Sequence, residues 1–289
     1  MILDRIIKDC GIVSTAGNTA IEISAVCNDS RKVIPGAVFV AVKGYASDGH
    51  SFIRTAAEKG AAAVIYEDQQ ATEAQLEGFE GITLVRVESS RYALAIAAAN
   101  FYDNPSHKLT LVGITGTNGK TTTVTLLHRM FTNLGYSCGL LSTIANYVGE
   151  KGSEAVNTTS DPLTINSLLS EMVDAGCEYC FMEVSSHALV QCRTDAIDFD
   201  CAVFTNLSEE HLDLHGDMES YYRAKEKLFL QSRRSVVNID DVAGRRLFHS
   251  LEGENAQNIS CSRSDGNFCA LCEEYSERSG IKYLLKSPD

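Results

Sequence analysis

The amino-acid sequence predicts an α/β protein in two parts: a small N-terminal α/β domain, residues 1–105, and a P-loop-type, doubly wound, mostly parallel sheet, residues 106–289. Three observations predict this fold class. The 289 residues are enough for roughly two domains. Strand-like and helix-like runs alternate along the chain. The run "LTLVGI" is apolar throughout, as strands of a buried parallel sheet are, and it leads into a glycine-rich turn and a helix.

The first part alternates short strands with alanine-rich helices. The predicted strands are "VFVAV", "AAAVIY" and "ITLVRV", and the predicted helices are "FIRTAAEKG" and "SRYALAIAAANFY". The polar turn stretch "YDNPSHK" that follows predicts a domain boundary.

The second part repeats the alternation on a larger scale. After the helix "KTTTVTLLHRMFTNLG", a second helix has Asp161 as its N-cap, Pro162 at its first position and Gly176 as its stop. Its predicted apolar face is Ile165, Leu168, Leu169 and Met172. The remaining predicted elements are "CEYCFMEV", "FDCAVFTNL", "MESYYRAKEKLF", "RRSVVNI" and "DDVAGRRLF". The tail "GIKYLLKSPD" is strand-like with no closing element, so we expect the second domain to be incomplete at its C-terminal end.

Composition narrows the class of protein. No stretch approaches the ~20 apolar residues of a membrane span, and the N-terminus is not a secretory signal, so we expect a cytoplasmic protein with no membrane contact. The net charge of -13 argues against nucleic-acid binding. The ten cysteines are expected to be reduced thiols. Two pairs have CxxC spacing, Cys177 with Cys180 and Cys269 with Cys272, but strand alternation around Cys180 favours buried thiols over a zinc site.

The segment "GITGTNGKTTT", residues 113–123, is the strongest signal in the chain. Its glycines let successive N–H groups face an anion, and the following helix adds the partial positive charge of its N-terminus. Lys120 is predicted to reach the β and γ phosphates of a nucleotide, and the Thr121 hydroxyl to coordinate Mg²⁺. The spacing departs from GxxxxGK[ST], because Ile114 stands where the first glycine belongs.

A magnesium site needs further oxygen ligands near those phosphates. Glu183 and His211 follow neighbouring predicted strands, at the sheet edge where ligands of open α/β sheets bind. The alternative for Glu183 is an acid that caps the next helix. His187, His211 and His215, each taken alone, are more often surface or hydrogen-bonded histidines than ligands.

The helix "MESYYRAKEKLF" contains an unexpected residue. Met218, Tyr221, Tyr222 and Phe229 form an apolar stripe, and Lys225 falls on that stripe. The simple explanation is that the lysine stem lies along apolar surface while its ammonium group reaches water.

Five collinear motifs resemble the Mur ligase family, and within it the MurE type. They are "GITGTNGKTTT", "NTTSDPLT", "MEVSSHALVQCR", "VFTNLSEEHLDLHGDMESYYRAKEKLF" and "NIDD". The N-terminal "NDSRKVIPGAVFVAVKGYASDGHSFI" resembles the UDP-binding domain of the same family. The resemblance implies a UDP-MurNAc-binding domain at 1–105, a central ATP-binding ligase domain at 106–289, and a missing C-terminal domain that would select the amino acid.

The resemblance also implies an activity. A monomeric, ATP- and Mg²⁺-dependent ligase would add a diamino acid, meso-diaminopimelate or L-lysine, to UDP-MurNAc-L-Ala-D-Glu through an acyl phosphate, for peptidoglycan synthesis. By the same resemblance Lys225 would be carbamylated by CO₂, and a neutral, desolvated amine is the form that attacks CO₂.

Sites carried over by motif remain expectations. Ser30 and the "KGYASDG" loop would contact the uridine diphosphate, and Lys120, carbamylated Lys225 and His211 would be catalytic. The ATP-binding set is Gly116, Thr117, Asn118, Gly119, Lys120, Thr121 and Thr122. The dipeptide-binding set is Asn157, Thr158, Thr159, Ser185, Gln191 and Arg193. The metal set is Thr121, Glu183, His211 and Lys225.

Three alternatives stay open. Another ligase of the same kind, such as a different Mur ligase or a folylpolyglutamate synthetase, is the first; "DSRKVIPG" and "NTTSDPLT" speak against the folate enzyme. A non-catalytic, truncated protein that binds a nucleotide and a UDP-sugar is the second. A P-loop kinase, which would form a stable phosphorylated product, is the third.

Overall fold

The computed structural model describes residues 1–44, 47–251, 257–276 and 280–288, without the side chains of 272–281. The chain divides into two compact units. The first contains Met1–Pro105, Ser160–Ser170 and Gln191–Ile197, and the second contains Ser106–Thr159, Glu171–Val190 and Asp198–Asp289. The sequence predicts a single boundary after residue 105, which places Ser160–Ser170 and Gln191–Ile197 in the second part, whereas the compact units group these two segments with the first. The boundary between functional domains stays a prediction.

The first unit is built on a five-stranded sheet with the order β1-β5-β4-β3-β2, in which β2 to β5 are parallel and β1 is antiparallel to β5. Its strands are β1 Ile12–Ala16, β2 Val26–Cys27, β3 Val38–Val40, β4 Ala63–Tyr66 and β5 Thr83–Val87. Its helices are α1 Leu3–Ile6, α2 Ile53–Glu58, α3 Gln69–Leu76 and α4 Ser90–Phe101. Short 3₁₀ turns cover Ser30–Lys32, Gly49–Phe52 and Pro105–Lys108.

Strand β3 shows how this sheet is buried on both faces. Val38 and Val40 belong to a core cluster with Leu3 of α1, whereas Phe39 belongs to a second cluster with Ile53 of α2. Successive side chains of a strand point to opposite faces, so an uninterrupted apolar run needs cover on both sides. Burying each such side chain contributes roughly 1.5–3 kcal/mol.

The second unit is built on a ten-stranded sheet with the order β15-β14-β13-β12-β11-β6-β10-β7-β8-β9. Strands β14 to β7 in this order are parallel, and β15, β8 and β9 are antiparallel additions at the edges. The strands are β6 Thr110–Thr115, β7 Cys138–Leu141, β8 Ala145–Val148, β9 Lys151–Glu154, β10 Tyr179–Glu183, β11 Cys201–Phe204, β12 Arg234–Asn238, β13 Gln257–Ser262, β14 Phe268–Ser276 and β15 Gly280–Lys286. The helices of this unit are α5 Lys120–Asn133, α7 Ser186–Val190, α8 Leu212–His215, α9 Met218–Leu230 and α10 Val242–Ser250; helix α6, Pro162–Asp174, is divided between the two units at Ser170.

Helices cover both faces of this sheet, which confirms the doubly wound class. Ile114 of β6 packs in one cluster with Val124 of α5. Its neighbour Gly113 points to the other face, where a Cβ would lie 3.2 Å from Leu228 of α9.

The predicted cap of α6 is present. Asp161 Oδ1 accepts hydrogen bonds from Leu163 N (3.0 Å) and Thr164 N (3.3 Å), and Gly176 follows the helix with φ +74°. Leu168 is half-buried, while the other three residues of the predicted apolar face are buried: Ile165, Leu169 and Met172.

Both cysteines of the first CxxC pair lie in the interior of the second unit. Cys177 and Cys180 are buried free thiols, and burial raises the pKa of Cys180. In the described part of the chain, no three His, Cys, Asp or Glu side chains are grouped to hold a metal ion. The Cys272 side chain lies outside the described residues. No described helix combines the length and apolar character that a bilayer span requires.

Candidate functional site

The glycine-rich loop lies between the end of β6 and the start of α5, where the sequence predicts a phosphate site. Gly116 has φ +149° and Gly119 has φ +85°, conformations that residues with a Cβ rarely adopt. A Cβ on Gly116 would also overlap Thr205 Oγ1. Helix α5 starts at Lys120, directly after Gly119, so the loop adjoins its first unpaired N–H groups.

The segment after β11 holds this loop in place. Thr117 N donates to Asn206 O (2.9 Å) and Asn118 N donates to Asn206 Oδ1 (3.0 Å). In return, Thr205 Oγ1 donates to Asn118 O (2.7 Å), and Ser208 N donates to Thr117 Oγ1 (2.9 Å). These hydrogen bonds to the segment after β11 fix the conformation of the loop.

Two lysines meet at the loop. Lys120 Nζ donates to Gly116 O (2.9 Å) and Thr117 O (2.8 Å), and Lys225 Nζ also donates to Gly116 O (2.9 Å). Burial lowers the pKa of Lys120, although the carboxylates of Glu183 and Glu210 oppose this shift. Burial first, and then the charge of Lys120, lower the pKa of Lys225 to about 7.

Lys225 is enclosed by the protein. Its side chain is 1% exposed, and its Nζ lies 4.5 Å from the centre of the Tyr221 ring. Tyr221 Oη lies in turn 3.3 Å from Thr117 Oγ1 of the loop. The explanation in which the ammonium group reaches water is therefore wrong: the helix directs it at the loop.

Glu183 ends β10 and is completely buried. It accepts hydrogen bonds from the Thr121 hydroxyl (3.0 Å) and from Thr143 N (2.8 Å). It does not cap α7, because Ser185 Oγ accepts from Ala188 N (3.2 Å) in that role. A hydroxyl and a carboxylate side by side at a phosphate loop fit a hard cation such as Mg²⁺.

His211 lies among aromatic and histidine side chains, beside His187 and Tyr221. It starts α8 with φ +58°, and its ring centre lies 4.9 Å from that of His187 and 6.3 Å from that of Tyr221. The ring centre of His215 lies 4.8 Å from that of Tyr221, and His215 Nε2 lies 3.0 Å from Ser186 Oγ. Burial and the neighbouring His187 lower the pKa of His215. The metal-binding role of His211 stays a prediction.

Four residues of the predicted dipeptide site lie in the second unit. Thr158 Oγ1 is 3.1 Å from Thr143 Oγ1, and Thr159 Oγ1 donates to Glu183 O (2.9 Å) and accepts from Ser185 N (3.0 Å). Asn157 is exposed. Three of the four are therefore linked to Glu183 by hydrogen bonds: Thr159 directly, Ser185 through Thr159, and Thr158 through Thr143.

The other predicted substrate residues lie in the first unit. Arg193 donates to Gln191 Oε1 through both Nε (3.1 Å) and Nη2 (2.7 Å), and burial lowers the pKa of Arg193. Ser30 is buried at the wall of a cavity of about 580 Å³. That cavity is also lined by Asn28, Arg31, Lys32, Gly44, Ser47 and Phe52. Tyr45 and Ala46 of the predicted "KGYASDG" loop lie outside the described residues.

Sequence reasoning missed Thr143, which binds Glu183 through both its N–H and its hydroxyl. It also missed Asn206, which accepts hydrogen bonds from the backbone N–H groups of Thr117 and Asn118 in the loop. A threonine after a short strand carries no distinctive pattern. In contrast, Asn206 stands near the start of the quoted motif "VFTNLSEEHLDLHGDMESYYRAKEKLF" and could have been considered there.

Two family profiles match the chain. The Mur ligase middle domain matches residues 114–287, and the profile described as Mur ligase family, catalytic domain, matches residues 22–102. The chain is 46% identical over 258 residues to the UDP-N-acetylmuramoyl-L-alanyl-D-glutamate–2,6-diaminopimelate ligase of Cytophaga hutchinsonii, covering 88% of this chain and 52% of that relative. The ligase of the same name from Clostridioides difficile is 39% identical over 293 residues, covering 100% of this chain and 58% of that relative.

A solved structure of a ligase with that name superposes with a TM-score of 0.82 at 24% identity, covering 99% of this chain and 57% of the other; this likeness concerns the fold alone. The chain spans about half the length of the curated relatives that it matches. The two family profiles and the identity to these relatives agree with the motifs around the phosphate loop: the chain belongs to the Mur ligase family.

Proposed function

We propose that this chain carries the UDP-binding and ATP-binding parts of an ATP-dependent amide ligase that extends UDP-MurNAc-L-Ala-D-Glu by a diamino acid. The relatives are named as 2,6-diaminopimelate ligases, which favours meso-diaminopimelate over L-lysine as the added amino acid. A cytoplasmic monomer that acts on small molecules for peptidoglycan synthesis is part of the proposal.

One observation carries this proposal. Lys120 and Lys225 both donate to the carbonyl oxygen of Gly116, and the adjacent Thr121 hydroxyl donates to Glu183. A phosphate loop with one lysine suits many nucleotide-binding proteins. A second lysine, buried and with its pKa lowered to about 7, is not needed for phosphate binding, and it suits the CO₂-derived carbamate of Mur ligases.

In this proposal the D-glutamate carboxylate attacks the γ-phosphate of ATP, which gives an acyl phosphate and ADP. The diamino acid then attacks the acyl carbon and phosphate leaves. Lys120 and the N–H groups of the loop, in the segment Gly116 to Thr122, stabilise the charge on the transferred phosphoryl group and hold it in line. Asn157, Thr158, Thr159, Ser185, Gln191 and Arg193 would hold the dipeptide, and Ser30 the uridine diphosphate.

Mg²⁺, when bound, neutralises phosphate charge and orients the oxygens of ATP. Thr121 and Glu183 would hold it, with His211 and the carbamate of Lys225 as the remaining proposed ligands. The fit rests on the 3.0 Å contact of Thr121 with Glu183 and on the burial of Lys225.

The test measures ADP release by the purified chain with UDP-MurNAc-L-Ala-D-Glu and meso-diaminopimelate, each omitted in turn. We expect ADP release to require the UDP-linked dipeptide and to rise with the amino acid. Release that needs neither would contradict the ligase. Tight binding of ATP and of the UDP-linked dipeptide without any turnover would favour the non-catalytic alternative. A stable phosphorylated product would favour the kinase.

A further inference from the structure

The cavity beside Ser30 has a buried histidine in one of its walls. Residues 42–44 and 47–52, called here the wall segment, contribute Val42, Gly44, Ser47, Gly49 and Phe52 to the lining of this cavity. His50 belongs to the 3₁₀ turn Gly49–Phe52 of the wall segment, and it is 1% exposed. Its imidazole is therefore enclosed by the protein, although its neighbours in the chain line the cavity.

The imidazole of His50 joins the wall segment to the end of β4. Its Nε2 lies 3.1 Å from Glu67 N and 3.1 Å from Asp68 N, which follow β4, and its Nδ1 lies 2.6 Å from Asp48 Oδ1. Asp68 caps α3, because its Oδ1 accepts from Ala71 N (2.9 Å). Asp48 caps the turn in the same way, because its Oδ1 also accepts from His50 N (3.0 Å). One buried ring thus connects the wall segment with the start of α3.

The tautomer of His50 follows from its partners. A backbone N–H only donates, so the contacts with Glu67 N and Asp68 N make Nε2 an acceptor that carries no proton. The one ring proton of a neutral imidazole is then on Nδ1, which donates it to Asp48 Oδ1. The contact of His50 with Asp48 is therefore a hydrogen bond of a neutral ring and not an ion pair.

The position of the turn is transmitted along the wall segment by backbone contacts. Gly49 N donates to Val42 O (2.9 Å), and Gly44 N donates to Ser47 O (3.1 Å). A Cβ on Gly49 would lie only 2.7 Å from Val42 N and from Val42 O, so the two arms of the segment are in close contact. A shift of the turn at His50 therefore moves residues that line the cavity.

We propose that His50 is a positioning residue for this cavity: as a neutral imidazole that accepts from Glu67 N and Asp68 N, it fixes the wall against which a uridine diphosphate binds. A ligand binds only the fraction of molecules whose wall is in place. Loss of the acceptor therefore lowers the affinity without removing a group that lines the cavity. The inference rests on the proposed function, in which this cavity takes the uridine diphosphate end of the substrate.

Two substitutions separate the two nitrogens of the ring. His50→Gln places its amide near the position of Nε2, where the amide oxygen accepts from Glu67 N and Asp68 N. The shorter His50→Asn reaches only the position of Nδ1, where it still donates to Asp48 but leaves both N–H groups without their acceptor. The exposed His107 provides the control variant His107→Asn. Calorimetric titration measures the affinity of each protein for UDP, and for ATP as a reference ligand of the second unit.

We expect His50→Asn to bind UDP about tenfold more weakly than the wild type, and His50→Gln and His107→Asn to stay within about threefold of it. The affinity for ATP should be unchanged throughout, because the phosphate loop belongs to the second unit. Unchanged UDP affinity in His50→Asn, equal losses in His50→Asn and His50→Gln, or a fall in ATP affinity as large as that for UDP would overturn the inference.

A measurement without ligand separates this inference from the proposed function. In the wild type, ¹⁵N NMR of the ring should show the proton of His50 on Nδ1. Amide hydrogen exchange at Gly44 and Gly49 should be faster in His50→Asn and unchanged in His50→Gln. A proton on Nε2, or unchanged exchange in His50→Asn, would refute the positioning role. If the ring and the exchange behave as expected but the wild type does not bind UDP, the positioning role stands and the proposed ligand of the cavity fails.

Discussion

Lys120 and Lys225 donate to the same backbone oxygen, with each Nζ 2.9 Å from Gly116 O. Two ammonium groups that share one acceptor repel each other, and the more deeply buried group gives up its proton more easily. Lys225, at 1% exposure, is that group, and its pKa is lowered to about 7. At that pKa a substantial fraction of Lys225 is neutral at neutral pH, which is the form that the proposed carbamate requires.

The carbamate on Lys225 can be looked for directly. With ¹³C-labelled bicarbonate, the wild type should show a carbamate carbon signal in its NMR spectrum, because a neutral buried amine reacts with CO₂. Lys225→Ala should lose that signal. Lys227→Ala is the matched control and should keep the signal, because Lys227 is an exposed lysine of the same helix. A signal that survives in Lys225→Ala would contradict the assignment.

The pKa of Lys225 also predicts a pH dependence of stability. Between about pH 7 and the ordinary lysine pKa, the unfolded chain binds the proton that the folded chain has lost, so stability rises with pH in this window. In CO₂-free buffer, the free energy of unfolding should increase by up to about 1.4 kcal/mol per pH unit more in the wild type than in Lys225→Met. Equal slopes for the two proteins in urea unfolding between pH 7.5 and 9 would refute this.

Gly116 should not tolerate a side chain. Gly116→Ala places a Cβ against Thr205 Oγ1 at a φ of +149°, so we expect a loss of roughly 1–3 kcal/mol of stability and weaker ATP binding. Removing the overlapping oxygen in Gly116→Ala/Thr205→Ala should recover part of the ATP affinity but not the backbone strain. ATP affinity is measured by calorimetry for both variants and for the control Thr205→Ala. If the double variant binds ATP no better than Gly116→Ala, the overlap with Thr205 is not the cause of the weaker binding.

Glu183 should control the effect of magnesium on nucleotide binding. Glu183→Gln keeps the shape of the side chain but removes the charge, so the gain in ATP affinity on adding Mg²⁺ should fall by about 10- to 100-fold. The exposed Glu178, just before β10, provides the control variant Glu178→Gln. The measurement is the dissociation constant of ATP with and without Mg²⁺. An unchanged Mg²⁺ effect in Glu183→Gln would remove Glu183 from the metal site.

Local patterns predicted the elements that carry strong signals of their own. The apolar run of β6, the glycines of the loop and the start of α5 at Lys120 all lie where expected, because each depends on neighbouring residues. The same holds for the cap of α6 at Asp161. Helical periodicity alone predicts the position of Lys225 on the buried stripe of α9.

Features that depend on distant pairing were not predictable in this way. Strands β7, β8 and β9 are only four residues long, and "KGSE" of β9 is entirely exposed, so periodicity does not mark them. Thr143 meets Glu183 only because β7 pairs with β10. The contact between Tyr221 and Thr117 joins residues about one hundred positions apart.

In the proposed reaction, a carboxylate of the substrate is phosphorylated before the amide bond forms. This order can be tested with UDP-MurNAc-L-Ala-D-Glu carrying ¹⁸O in the side-chain carboxylate of D-glutamate, ATP and meso-diaminopimelate. If an acyl phosphate forms and the amine displaces phosphate, mass spectrometry should find one ¹⁸O atom in each inorganic phosphate released. Inorganic phosphate released without ¹⁸O would contradict the account.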